Sequence, residues 1–155
     1  MDTIQLSDGS PRAFLVVFRT GDEAASGLLE FAKRHGLGAA QLGGIGAFSR
    51  VTLGYFDCEK KTYEPILVPE QVEVVSLIGN LTTYDGAPRL HAHVTVARSD
   101  GTTRGGHLLE GRVRPTLEIT VEELPIRVHR SLDAASGLPL IDVSASRTAT
   151  PPGRS

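Results

Sequence analysis

Residues 89–111 read RLHAHVTVARSDGTTRGGHLLEG, a span that carries three of the chain's five histidines and a run of glycines. On a strand alternate residues share a face, so Leu90, Ala92, Val94 and Val96 line one side while His91, His93, Thr95 and Ala97 line the other. The first side is apolar and predicts core. His91 and His93 therefore project together from the opposite face, with Cβ atoms about 6 to 7 Å apart. Ser99-Asp100-Gly101 suits a three-residue hairpin loop, a type I turn closed by glycine in the left-handed conformation. In that register Arg98 faces Thr102, and His107 falls directly across from His93. A two-residue Asp100-Gly101 turn instead pairs His107 with Val94 and sends it to the core side, because a one-residue slip reverses every side chain. Gly105-Gly106 also offers a place for a bulge.

Three neutral imidazoles that converge on one point match the ligand set of a zinc site with an open fourth position. The bland alternative is that one or two of them make hydrogen bonds at a surface or a subunit interface. The i,i+2 pair with a third histidine across the hairpin favours the metal, and His91, His93 and His107 are the expected ligands, with zinc the expected cofactor. His35, at the end of a helical run, and His129, in PIRVHR, lack such company and read as structural or solvent-exposed.

Outward from the hairpin the hydrophobic period switches between two and 3.6. RAFLVVFR (12–19) is a short, strongly apolar run and reads as a buried strand. Next comes TGDEAASGLLEFAKRHG, where Ala24, Ala25, Leu28, Leu29 and Ala32 recur at helical spacing. Thr20 or Asp22 can cap this helix, Lys33, Arg34 and His35 suit its C-terminal end, and Gly36 stops it. From there the pattern is β: residues 51–57, 62–68, 71–82, 89–98, 103–111 and 115–124 are strand-like runs between turn residues. A strand, one main helix and then several strands in succession predict an α+β fold, a compact and largely antiparallel or mixed sheet. Residues 1–142 are expected to form a single domain. VSASRTATPPGRS (143–155), small and polar with adjacent prolines, is expected to be a flexible tail.

The bulk properties exclude several classes. A chain of 155 residues suits one domain with a substantial core. Its formal net charge of −2 supplies no global basic field to draw it onto a phosphate backbone, so any DNA binding is expected to be weak and non-specific. Cys58 is the only cysteine, which excludes an internal disulfide and any CxxC motif and fits a reducing compartment. The N-terminus lacks a basic region followed by an apolar one, and no apolar run reaches the roughly 20 residues that span a bilayer. A cytoplasmic protein with no membrane partner is expected.

The order LGGIGAFSRVTLGYFD, VEVVSLIGNLT, LHAHVTVARSDGTTRGGHLLEG and PTLEITVEEL resembles the PPC domain (DUF296) family of plants and prokaryotes, in its stand-alone bacterial form. The similarity covers about residues 10 to 130, and HxH followed by GGH is its most specific element. The resemblance implies a compact α+β domain that assembles into a homotrimer, with His91, His93 and His107 matching the histidines associated with zinc in prokaryotic relatives. It also implies an association with DNA, through the AT-hooks that accompany the domain in plants. Here GRVRP (111–115) is the nearest match to such a hook, and Val113 stands where the hook needs glycine to lie deep in the minor groove. The plant partner-binding run aligns with EQVEVV, where Glu70 and Gln71 replace its glycine and arginine, so a protein partner would have to be engaged differently.

Other motifs fail on context. GIGAFS (44–49) resembles part of a dinucleotide fingerprint, but a strand follows it rather than a helix, and close backbone packing or a bulge explains it better. YDGAP (84–88) reads as a turn. Glu59 and the pair Glu122-Glu123 read as solvated. Two functional classes follow: a trimeric binding or regulatory module whose metal is structural, or a zinc-dependent enzyme of hydrolase or lyase type. The second needs an acid or base beside the metal, for which Glu110, Tyr84 and Asp85 are candidates by proximity in sequence.

Overall fold

A computed structural model describes residues 1–7 and 11–147. In chain order the elements are β1 (Asp2–Gln5), β2 (Ala13–Arg19), α1 (Ala24–Arg34), β3 (Ala40–Asp57), β4 (Thr62–Val68), β5 (Val72–Tyr84), β6 (Ala87–Ala97), β7 (Thr103–Glu123), β8 (His129–Leu132), β9 (Pro139–Asp142) and α2 (Val143–Arg147). The strands join in one sheet in the order β1-β2-β7-β3-β5-β8-β9, with β4 on β3 and with β6 bridging β5 and β7. Because β6 pairs on both sides, β3, β5, β6 and β7 form a closed circuit of hydrogen-bonded neighbours. All the pairings are antiparallel except the single parallel bridge Thr83–His129 between β5 and β8. This is the α+β mixed sheet with one main helix that the sequence predicts.

The core lies between α1 and the inner face of the sheet. Phe14, Val16 and Phe18 alternate inward along β2, and Ala24, Leu28, Phe31 and Ala32 form the buried stripe of α1. Phe14 and Phe31 meet edge to face at 5.2 Å, and each buried ring of this kind contributes about 1.5–3 kcal/mol. The helix starts differently from expectation. Its cap is Glu23, whose carboxylate accepts from the N–H groups of Ala25 and Ser26 at 3.0 and 2.7 Å and, across the sheet, from Gly111 N–H at 2.9 Å. Burial pushes the Glu23 carboxyl up, but the bonds from Ser26, Gly111 and Ala25 outweigh it and hold the group below its ordinary range. Asp22 instead accepts from Arg19 N–H, and Thr20 donates to the Pro115 carbonyl. At the far end Gly36 N–H bonds to the Lys33 carbonyl and Leu37 N–H to that of Ala32, the Schellman arrangement that closes a helix.

Two strands run further than their sequence patterns. β3 includes LGGIG, where a Cβ on Gly44 would sit 2.3 Å from the Glu118 carbonyl oxygen of β7, so glycine is what lets the two backbones close. β7 runs unbroken through Pro115, which falls where the pairing with β3 shifts register, so its missing N–H interrupts no regular ladder there. Val113, in the hook-like GRVRP, is buried within that strand and its N–H bonds to the Asp22 carbonyl. Of the segment expected as a tail, Val143–Arg147 forms α2, and Ser146 Oγ accepts from His129 N–H at 2.9 Å while donating to the Asp142 carbonyl. Residues 148–155 lie outside the described residues. Among the described residues no helix is long and apolar enough to cross a membrane.

Candidate metal centre

The β6–β7 hairpin adopts the three-residue loop. Arg98 N–H bonds to the Thr102 carbonyl at 2.9 Å, Gly101 takes the left-handed conformation with φ of 80°, and His93 stands opposite His107. Ala92, Val94 and Val96 are buried on the inner face, and His91 and His93 share the outer one. The three rings form a near-equilateral triangle, with centroids 5.2 Å (His91–His93), 5.4 Å (His91–His107) and 5.5 Å (His93–His107) apart. One ligand nitrogen from each lies within 4.8 Å of the others.

This geometry fits a metal on two counts. Zinc bonds to imidazole nitrogen at about 2.0–2.1 Å, and tetrahedral geometry then sets neighbouring ligand nitrogens roughly 3.3 Å apart. His91 Nε2 and His93 Nε2 are 3.2 Å apart. His107 Nδ1 is buried with no hydrogen-bond partner, an arrangement that costs about 1–3 kcal/mol when nothing compensates it. Two of the rings, His91 and His107, are also held towards the neutral form that donates to a metal. Burial, assisted by His91, His93 and Arg89, pushes His107 down to about 4. Burial and the charges of Arg130, His93 and Arg89 push His91 down as well. Tyr63 of β4 supplies part of that burial, stacked on His107 at 4.7 Å and 25°, with Phe56 against its other side at 5.1 Å.

Two hollows flank the triangle. A broad groove of about 590 Å³ is lined by His91 and His93 together with Gln41, Asn80, Thr120 and Glu122. A small cavity of about 60 Å³ lies against His91 and His107 and is walled by Tyr63, Arg89, Arg130 and Leu140. Arg130 is clamped by neutral acceptors: its Nε donates to Thr82 Oγ1 at 2.7 Å, Nη1 to the Pro139 carbonyl at 2.8 Å and Nη2 to Asn80 Oδ1 at 3.0 Å. Burial, and next the charge of Arg89, lower its pKa, while Tyr63 opposes them.

The acid and base candidates proposed from sequence proximity stand elsewhere. Glu110 pairs with Arg112 at 3.1 Å and with Arg50 at 3.7 Å, and Tyr84 and Asp85 lie at the β5–β6 turn. None of the three lines either hollow. His35 packs against Phe31 and Phe14 at 4.5 and 4.9 Å, and His129 lies on β8. Glu122 and Glu123 are not alike. Glu122 borders the groove, where it accepts from Gln41 at 2.8 Å, whereas Glu123 forms a two-pronged pair with Arg12 and is not solvated. Consecutive strand residues face opposite sides, so the sequence already contained the signal that separates them. Arg130 carried no local signal, because it reaches the site from a separate hairpin.

The sequence profile of the Plants and Prokaryotes Conserved (PCC) domain matches residues 5–125. Among solved structures the chain is similar to a candidate DNA-binding protein of Bacteroides thetaiotaomicron, with a TM-score of 0.85 and 30% identity over 92% of this chain and 98% of that one. It is similar to a plant- and prokaryote-conserved (PPC) protein of Pyrococcus horikoshii, with a TM-score of 0.80 and 36% identity over 84% and 91%. It also resembles a metal-containing protein of Archaeoglobus fulgidus, with a TM-score of 0.78 and 34% identity over 83% and 91%. Among curated proteins it is 33% identical over 150 residues to the bifunctional protein GlmU of a Synechococcus strain, a match covering 95% of this chain and 23% of that protein. The chain thus spans less than a quarter of the length of the curated relatives it matches.

Proposed function

This chain belongs to the Plants and Prokaryotes Conserved domain family, and from that premise we propose that it is a trimeric binding or regulatory module in which His91, His93 and His107 hold one divalent transition metal, zinc. The observation that carries the reading is the convergence of three imidazoles, with one ligand nitrogen of each within 4.8 Å of the others. Imidazole suits zinc, copper and nickel, and Cys58, exposed on the β3–β4 turn, lies outside the cluster and offers it no thiolate. The similarity to a metal-containing archaeal protein agrees. Large apolar side chains left exposed on the sheet, among them Ile45, Tyr55, Leu67 and Ile78, support burial of this surface by symmetric assembly. Two relatives are candidate DNA-binding proteins. With a net charge of −2 and Val113 buried in a strand, any contact of this chain with DNA is weak and non-specific.

A second reading, a zinc-dependent enzyme, is favoured by one observation: Glu122 borders the same groove as His91 and His93. Zinc in a three-histidine set supplies Lewis acidity at its open position. Glu122 would accept or return the proton there, with Thr120 and Asn80 orienting the ligand. Elemental analysis after dialysis against zinc-free buffer tests the shared premise. Wild type and His129→Ala are expected to retain one metal per chain and His93→Ala none; equal retention by wild type and the triple histidine variant contradicts it. Sedimentation at micromolar concentration is expected to give the mass of three chains, and a single-chain mass rules out the trimer.

A further inference from the structure

We propose that the small cavity beside His91 and His107 is a subsite for a small oxyanion, in which Arg89 and Arg130 bind a carboxylate or phosphoryl group of a ligand that also reaches the metal. This inference rests on the metal reading above and specifies the chemistry of what that site binds. The first support is charge. Arg89 and Arg130 wall the same cavity, and among the described residues its lining contains no carboxylate. The Arg89 carbonyl accepts from Thr82 Oγ1, but its guanidinium makes no ion pair or hydrogen bond to any described residue. By contrast, Arg12 pairs with Glu123, Arg19 with Asp2, Arg34 with Glu30, Arg98 with Glu70, and Arg50 and Arg112 with Glu110. A divalent metal on the three imidazoles would add two further positive charges beside this cavity, whose own lining holds no acid. An anion is the ligand that such a concentration of charge binds, and partial exclusion of water strengthens the attraction.

Geometry is the second support. The guanidinium of Arg130 is fixed by three neutral acceptors, Asn80 and Thr82 on β5 and Pro139 on β9, so it is preorganised without being neutralised. These bonds use one N–H of each terminal nitrogen and leave the other of each free to donate, the fork that matches a carboxylate or phosphate. Tyr63 is stacked on His107, and Leu138 and Leu140 add apolar lining. A space of about 60 Å³ takes an oxyanion group and excludes a ring system. Arg130 lies beyond residues 5–125, the span the family profile matches, and the subsite is completed by the β8–β9 hairpin.

The test uses full-length protein loaded with cobalt(II), whose visible spectrum reports both metal and ligand, titrated separately with acetate and with inorganic phosphate at constant ionic strength. Wild type is expected to give a saturable spectral change, and the probe that saturates at the lower concentration identifies the class of oxyanion. Arg89→Gln, an exposed change that leaves the core untouched, is expected to raise the dissociation constant about tenfold, the scale of one charge-assisted hydrogen bond. Arg130→Lys, which keeps the charge and loses the fork, is expected to weaken binding by a similar factor. Arg104→Gln, outside the cavity, is expected to leave it unchanged. A protein that takes up no cobalt overturns the metal reading and this proposal with it. Normal cobalt uptake with equal anion affinity in wild type, Arg89→Gln and Arg130→Lys overturns this proposal alone.

Discussion

Arg12, just before β2, and Arg130 of β8 are both half-buried arginines that reach across to neighbouring elements, yet their partners differ in kind. Arg12 donates from Nε and Nη2 to the two oxygens of Glu123 at 2.8 and 2.7 Å, and again from Nη2 to the His35 carbonyl at the end of α1. Its charge is cancelled where it stands, and it ties β2, β7 and the helix together. Arg130 has as many bonds, but every acceptor is neutral, the charge that acts on it most is that of another cation, Arg89, and His91 and His107 line the same cavity. A buried cation with its acid beside it serves the fold. One held in place without an acid leaves its charge for a ligand.

The contrast predicts where each substitution is felt. Glu123→Gln removes the acid from a pair whose side chains are 31% and 13% exposed, and is expected to lower stability by about 2 kcal/mol in chemical denaturation, less than for a fully buried pair, with metal content unchanged. The same pair fixes a pH dependence. The bond from Arg12 holds the Glu123 carboxyl below its ordinary range, against the opposing effect of burial, so the folded chain binds this proton less readily than the unfolded one. The stabilisation is complete above the ordinary glutamate pKa of about 4.3 and is lost as pH falls through the lower folded value. Between pH 6 and pH 3 wild type is therefore expected to lose more stability than Glu123→Gln, and parallel losses would break the assignment. Arg130→Lys is expected to lower stability by about 1 kcal/mol, since the charge is kept and only bonds to neutral acceptors are disturbed, and its main effect falls on anion binding. Smallest is Glu110→Gln, whose arginine partners are exposed: stability stays within about 0.5 kcal/mol and metal content is unchanged. A loss of metal there would restore Glu110 to the site.

What was legible in the sequence was what local chemistry fixes. Ser99-Asp100-Gly101 specifies its loop because Gly101 adopts a positive φ at no cost, and that loop alone aligns His107 with His93. β4 begins and ends where its residues change character. Illegible features depend on distant partners. β1, β8 and β9 are four-residue strands without a buried stripe, so no alternation marks them. The close backbone packing or bulge read from GIGAFS is present at Gly44, but nothing local identifies the Glu118 backbone of β7 as what presses on it. Glu23 caps α1 in place of Asp22 because Gly111 N–H, brought by β7, helps hold its carboxylate. Arg130 is 37 residues from His93 in the chain and arrives through one bridge, Thr83–His129, which leaves no trace in a local pattern.

The central claim is that His91, His93 and His107 together bind one metal ion, and X-ray absorption at the zinc edge of the reconstituted protein addresses it most directly. The account predicts three imidazole nitrogens at about 2.0–2.1 Å, one further oxygen or nitrogen, and no sulfur. In His93→Ala the three-imidazole signature is expected to disappear. A sulfur ligand in the wild type, or an imidazole count that is the same with and without His93, contradicts it.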